Sequence, residues 1–111
     1  MAQLKVYIAG PMRGYPQFNF PAFDAAATML RAAGFVVVSP ADIDRAHGFD
    51  GTGSIPDGAF PVMARACILR DAAAICDGCT HLYVLPGWEH SRGTRVELAL
   101  AEFLGLEVMY A

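Results

Sequence analysis

A chain of 111 residues, 55% hydrophobic and 17% charged, has the length of one domain and too much apolar content for a disordered segment. Its formal net charge of −3, with acids and bases interspersed and no Lys/Arg run, excludes the basic footprint of a groove binder, so no nucleic acid polymer is expected as a partner. The apolar runs fall far short of the ~20 residues that span a bilayer and no leader pattern opens the chain, so the expectation is a cytoplasmic protein without a membrane partner.

Residues 4–9 form a nearly continuous apolar run closed by Gly10-Pro11, the pattern of a strand buried on both faces of a parallel sheet. Asn19 as a cap, Pro21 in a first turn, and Phe20, Phe23, Met29 and Leu30 at helical spacing predict a first helix that ends at Gly34. The β-branched run 35–38 predicts a second strand. Residues 41–58 carry Gly, Asp and Pro without an apolar period and are expected to form a long functional loop or lid. Met63, Ala64, Cys67, Ile68 and Ile75 make the stripe of a second helix ending near Asp77-Gly78. Residues 81–85 read as a third strand. Val96, Leu100 and Leu104 mark a third helix stopped at Gly105, and residues 106–110 a last strand.

Strands alternating with helices call for an α/β fold. We expect a single-domain Rossmann- or flavodoxin-like three-layer sandwich over residues 1–111, with a four-stranded parallel sheet in the order 2-1-3-4. In that order the helices after strands one and three lie on opposite faces, and a crevice opens at the carboxyl ends of those strands. Both chemistry-rich loops, Gly10-Pro11-Met12-Arg13-Gly14 and residues 86–93, empty into it.

Within those loops Gly10 and Gly14 let the backbone approach a ligand, and Arg13 offers a planar donor fork for phosphate or carboxylate; a plain turn with a surface arginine is the bland alternative. Ser91-Arg92-Gly93-Thr94 precedes the third helix, where free N–H groups and the helix dipole favour an anion. Thr94-Arg95-Val96-Glu97 also reads as an ordinary capping box, with Glu97 returning a hydrogen bond to Thr94. Against that, Asp71 lies four residues after Cys67 and four before Ile75, within the apolar stripe, and Glu97 shares a face with Leu100, Ala101 and Leu104. Carboxylates so placed are costly unless used or paired, and a structural pairing of Asp71 with an arginine stays open. Tyr7 is either a core phenol or a hydroxyl that reaches Glu97 across strands one and three.

Other candidates carry less. Cys76-x-x-Cys79 falls at a helix end, whereas a dipole-activated thiol needs an N-terminus, and with Cys67 the count is odd, so all three are expected as thiols. His47, His81 and His90 lack metal-ligand spacing, and no metal or other cofactor is expected. Trp88 either stacks on a base or covers the crevice.

Together, Val6-Tyr7-Ile8-Ala9-Gly10-Pro11-Met12-Arg13-Gly14, Asp71 and Ser91-x-Gly93-x-x-x-Glu97-Leu98 resemble the nucleoside 2-deoxyribosyltransferase family, and in particular its 2′-deoxynucleoside 5′-monophosphate N-hydrolase branch. The resemblance implies Glu97 as nucleophile, Asp71 as the group that handles the leaving base, Tyr7 as the residue that orients Glu97, and Arg13 and Ser91 as holders of a 5′-phosphate. One departure is Pro11, where that branch has a serine; Pro11 offers neither hydroxyl nor N–H, and Arg92 and Arg95 are placed to compensate. The chain also stops after its fourth strand, where the family usually continues. The resemblance further implies a homodimer or higher homo-oligomer.

The expected reaction is N-glycosidic cleavage of a (deoxy)nucleoside 5′-monophosphate through a glycosyl-Glu97 intermediate, with Asp71 as acid and the free base released. Base exchange by a deoxyribosyltransferase and a non-catalytic nucleotide-binding or sensor domain are the alternatives. A phosphoacceptor or flavin module fits less well, because strand three ends in Leu85-Pro86 without an acceptor aspartate.

Overall fold

Strand β1 (Lys5–Ala9) occupies the middle of the sheet, and Val6, Tyr7, Ile8 and Ala9 are all excluded from solvent. In the computed structural model, which describes residues 3–53 and 58–111, β1 is flanked by β2 (Val36–Val38) and β3 (His81–Val84), with β4 (Glu107–Tyr110) beyond β3. All pairs are parallel and the order is β2-β1-β3-β4, as expected from the alternation of strands and helices. Tyr7 stands beside Val38 and Leu82, and Ala9 beside Val84, so those five side chains share one face.

The other face carries Val6 and Ile8, packed against Phe20, Phe23, Ala26, Ala27 and Leu30 of helix α1 (Phe20–Ala32). The face with Tyr7, Ala9, Leu82 and Val84 packs against Ile75 of α3 (Phe60–Cys76) and Ala101 of α4 (Arg92–Leu104). Two apolar faces covered by helices complete a three-layer α/β sandwich, which is why β1 reads as unbroken apolar sequence. Among the described residues no helix is long and apolar enough to cross a membrane.

Several local expectations are corrected. The segment expected as a lid at 41–58 begins as a helix, α2 (Pro40–Ala46), with proline in its first turn, Asp42 early and Arg45 late, an arrangement that suits the helix dipole. At seven residues it is too short to show an apolar period, and it docks through Arg45, whose fork donates to both oxygens of Asp24 on α1 at 2.9 and 2.6 Å. Residues 54–57 of that expected lid lie outside the described residues. Asn19 stands at the N-cap of α1 as expected, but its side chain makes no bond to the helix; it has φ 61° and donates from Nδ2 to the Pro11 carbonyl at 2.8 Å.

Asn19 ends a run of three residues in the left-handed region, with Gln17 at φ 54° and Phe18 at φ 51°. Each non-glycine residue there costs about 1 kcal/mol or more, held in place by the Asn19 bond and by Phe18 and Phe20 meeting Phe49 edge-on. On α1 Met29 is 49% exposed, while Phe20, Phe23 and Leu30 are buried as expected and Ala26 and Ala27 complete their face.

Candidate functional site

The chain leaves β1 toward α1 on one face and leaves β3 toward α4 on the other, and the crevice between them is a cavity of about 530 Å³, within the range of small-molecule sites. Of the nine residues expected to form the site, Gly10, Arg13, Asp71, Ser91, Arg92, Gly93 and Glu97 line it, and Tyr7 and Gly14 do not. Gly14 sits in a left-handed turn outside the lining, with φ 86°. Gly10 does line the cavity, and its lack of a side chain has a structural cause: a Cβ there would fall 2.8 Å from the Leu85 side chain, pressing the β1 and β3 exits apart.

Glu97 is positioned by a helix start that differs from the sequence expectation. The cap of α4 is Ser91, whose Oγ accepts from the Thr94 N–H at 3.3 Å and from the Thr94 hydroxyl at 2.8 Å. The expected capping box from Thr94 to Glu97 is therefore not formed. Thr94, Glu97 and Ala101 make the buried face, while Val96 and Leu104, expected on it, are 52% and 41% exposed. Glu97 is turned inward, and its Oε2 accepts a 2.5 Å hydrogen bond from the buried Tyr7 hydroxyl.

Asp71 faces the same cavity from α3. The stripe expected to bury that helix is divided: Ile75 packs on the sheet, whereas Met63, Ala64, Cys67 and Ile68 are only half-buried because they form the cavity wall. Burial raises the Glu97 pKa to about 8, with the Asp71 charge adding to the rise and the Tyr7 bond opposing it. Burial likewise raises Asp71 to about 6, followed by the charge of Asp44, against Tyr7 and Arg70. Tyr7 is raised far above its ordinary value by burial and then by the two carboxylates, so it remains a donor. Near neutrality the two acids hold about one proton between them, and the more buried Glu97 is the more basic.

At the mouth, the Arg13 guanidinium lies 3.6 Å from the centroid of the Phe60 ring, a cation–π contact joining the β1 loop to the start of α3. Ser91, Arg92 and Gly93 open α4 on the facing side. The sequence reading missed three contributions to the cavity: the aromatic wall of Phe18 and Phe49, the stacking partner Phe60, and the pair formed by Asp44 and Arg70 at 3.5 Å. The proline at position 40, with acid after it and base before Gly48, was a usable signal for the helix that carries Asp44.

Residues 4–110 match the family described as Domain of unknown function (DUF4406). The chain belongs to that family. No curated protein matches it. The DUF4406 match runs from before β1 to the end of β4, so every group of the cavity falls within it.

Apart from Cys67 in the cavity wall, the other sequence candidates sit elsewhere in this DUF4406 chain. Cys67, Cys76 and Cys79 are free thiols, and the Cys79 thiol donates to the Ala74 carbonyl at 3.4 Å. His81 pairs with Glu107 at 2.6 Å at the opposite end of the sheet, and among the described residues no three potential ligands gather for a metal. Trp88 packs near Tyr110, with ring centroids 5.7 Å apart, rather than lining the cavity.

Proposed function

We propose that the protein cleaves the N-glycosidic bond of a nucleoside 5′-monophosphate, with Glu97 as nucleophile and Asp71 as acid. The observation that carries this reading is the buried Glu97, held by Tyr7 and lining one cavity with Asp71. The likeness of the Tyr7, Asp71 and Ser91-to-Glu97 motifs to nucleoside 2-deoxyribosyltransferases and nucleotide N-hydrolases supports it.

Glu97 attacks the anomeric carbon as the bond to the base nitrogen breaks, and Asp71 gives its proton to that nitrogen. A water then attacks the same carbon, returns a proton to Asp71 and frees Glu97. Tyr7 donates to the Glu97 oxygen it bonds and leaves the other free to attack. Side chains and water supply every step, so the scheme needs no cofactor.

The reactive arrangement has one proton on the pair, residing on Asp71, and is the minor of the two singly protonated forms because Glu97 is the more basic. kcat/KM is therefore expected to rise through about pH 6 and fall through about pH 8, the two values of the coupled pair. A 5′-phosphate fits the start of α4. The Ser91 oxygen already accepts two hydrogen bonds, so its own proton is free to donate, beside the first N–H groups of the helix and Arg92. Arg13 reaches the phosphate on leaving Phe60.

Incubating the protein with ribo- and deoxyribonucleosides and their 5′-monophosphates, beside Glu97→Ala, tests the reading by chromatography. Free base from the wild type alone, dependent on the 5′-phosphate, is the expected result. Release only when an acceptor base is added would reassign it as a deoxyribosyltransferase. A nucleotide-binding sensor is the second reading, favoured by the Glu97 value of about 8, because a protonated Glu97 binds without attacking. Intact nucleotide recovered from a tight complex would establish that reading instead.

The exposed Val62, Leu69 and Phe103 on α3 and α4, at 73%, 72% and 86%, support a homo-oligomer joined through these helices. Light scattering is expected to give at least twice the chain mass, and Leu69→Glu with Phe103→Glu to reduce it to the monomer. Small-molecule nucleotide chemistry and free thiols also fit a cytoplasmic setting.

A further inference from the structure

Arg70 and Asp71 are consecutive on α3, and the Arg70 charge acts on a carboxylate that must stay protonated to serve as an acid. Its guanidinium is turned instead toward α2, with Nη2 3.5 Å from Asp44 Oδ1 and 3.4 Å from Cys67 Sγ. The Asp44 side chain is 15% exposed and that of Arg70 30%. The Arg70 Nε is buried without a hydrogen-bond partner among the described residues. A guanidinium so loosely satisfied stays where it is because of the charge of Asp44, and Asp71 is the neighbouring carboxylate it would otherwise take.

We propose that Asp44 is a positioning residue, which draws Arg70 to the α2 side of the cavity and so keeps it from forming an ion pair with Asp71. The groups around Asp71 are Tyr7 from β1, Glu97 from α4, Asp44 from α2, and Arg70 and Cys67 from α3, with Arg13, Arg65 and Arg92 lining the same cavity. Asp44 acts twice on this set. It occupies Arg70, whose charge lowers the Asp71 value, and its own negative charge opposes ionisation of Asp71, the second cause of the raised value after burial. The kinetic part of this inference rests on the glycosidase reading; the electrostatic part does not.

The test is the titration of the Asp71 carboxyl carbon by NMR in the wild type, Asp44→Asn, Asp44→Glu and Asp44→Asn/Arg70→Met. Asp44→Asn is expected to lower the midpoint by about one unit or more, since a cation at ion-pair distance has that effect on a carboxylate. Asp44→Glu, which keeps the charge, and the double variant, which removes the freed cation, are expected to recover most of it. An unchanged midpoint in folded Asp44→Asn overturns the proposal. So does a drop that Arg70→Met fails to relieve. Should Asp44→Asn not fold, Asp44→Ser with and without Arg70→Met gives the same contrast, the single variant lowering the midpoint and the double variant recovering it.

If the wild type releases base, the acid limb of kcat/KM near pH 6 moves down with the Asp71 midpoint in Asp44→Asn while KM holds. A moved midpoint in a protein that releases no base sustains the inference and refutes the glycosidase. Base release with an unmoved midpoint does the reverse.

Discussion

Glu97→Gln is expected to lower base release by about 10⁴-fold or more, since a missing nucleophile removes the covalent route altogether, and at the same time to stabilise the protein at alkaline pH. The second effect follows from burial. Glu97 has an ordinary value of 4.5 and a folded value of about 8, so the folded state binds the proton more tightly than the unfolded chain. Below about pH 4.5 the residue is protonated in both states and costs nothing. As pH rises toward 8 the unfolded state alone ionises, and stability falls with each unit until the folded residue ionises too.

Glutamine keeps an acceptor for Tyr7 without a charge to desolvate. The gain above pH 8 is about 3–5 kcal/mol, or roughly 10–20 °C in Tm. Thermal unfolding of both proteins at pH 5 and pH 9 checks it: the curves separate at pH 9 and converge at pH 5. A glutamate that served only its helix would show no alkaline gain. The native residue would then be one that the fold tolerates at a cost in stability, as is usual where chemistry requires a buried charge.

Asp71→Asn is expected to reduce kcat by about 10²–10⁴-fold on ordinary purine or pyrimidine substrates, the range for loss of a general acid. The diagnostic is a substrate whose base is already cationic. An N7-methylated purine leaves as a neutral species without taking a proton, so the variant should cleave it nearly as well as the wild type does. Equal losses on both substrates would show that Asp71 holds the sugar or the cavity wall rather than supplying a proton. The acid limb near pH 6, set by a carboxyl raised by burial and by Asp44, should shift or disappear in the same variant.

The sheet was legible because its determinants are local. Residues 4–9 are apolar without alternation, as a central parallel strand requires, and the Gly-Pro closure and strand–helix rhythm leave few topologies. Asp71 was legible as a carboxylate out of place in an apolar stripe, although the stripe proved to border a cavity more than a core. Glu97 was harder, since the tetrapeptide from Thr94 imitates a cap; the decision came from Ser91 taking that role one turn earlier.

Asp44 and Arg70 were invisible for a different reason. Their meaning lies in a contact between two helices 26 positions apart in sequence, one of them too short to declare itself by period. The left-handed run at Gln17, Phe18 and Asn19 was equally hidden, because it is imposed by the Phe49 contact and the Pro11 carbonyl rather than by turn residues.

The Tyr7 hydroxyl and the Glu97 carboxylate are separated by 90 positions, and Asp71 arrives on yet another crossover. No contiguous segment of the chain contains two of these groups in working relation. Loop closure over such distances is slow and is rewarded only when β1 and β3 have paired and both crossovers have docked. If the protein cleaves nucleotide as proposed, partly folded chains are expected to be silent and fragments inactive. Turnover would then count complete native molecules during refolding, blind to any intermediate that has helices but lacks the β1–β3 seam.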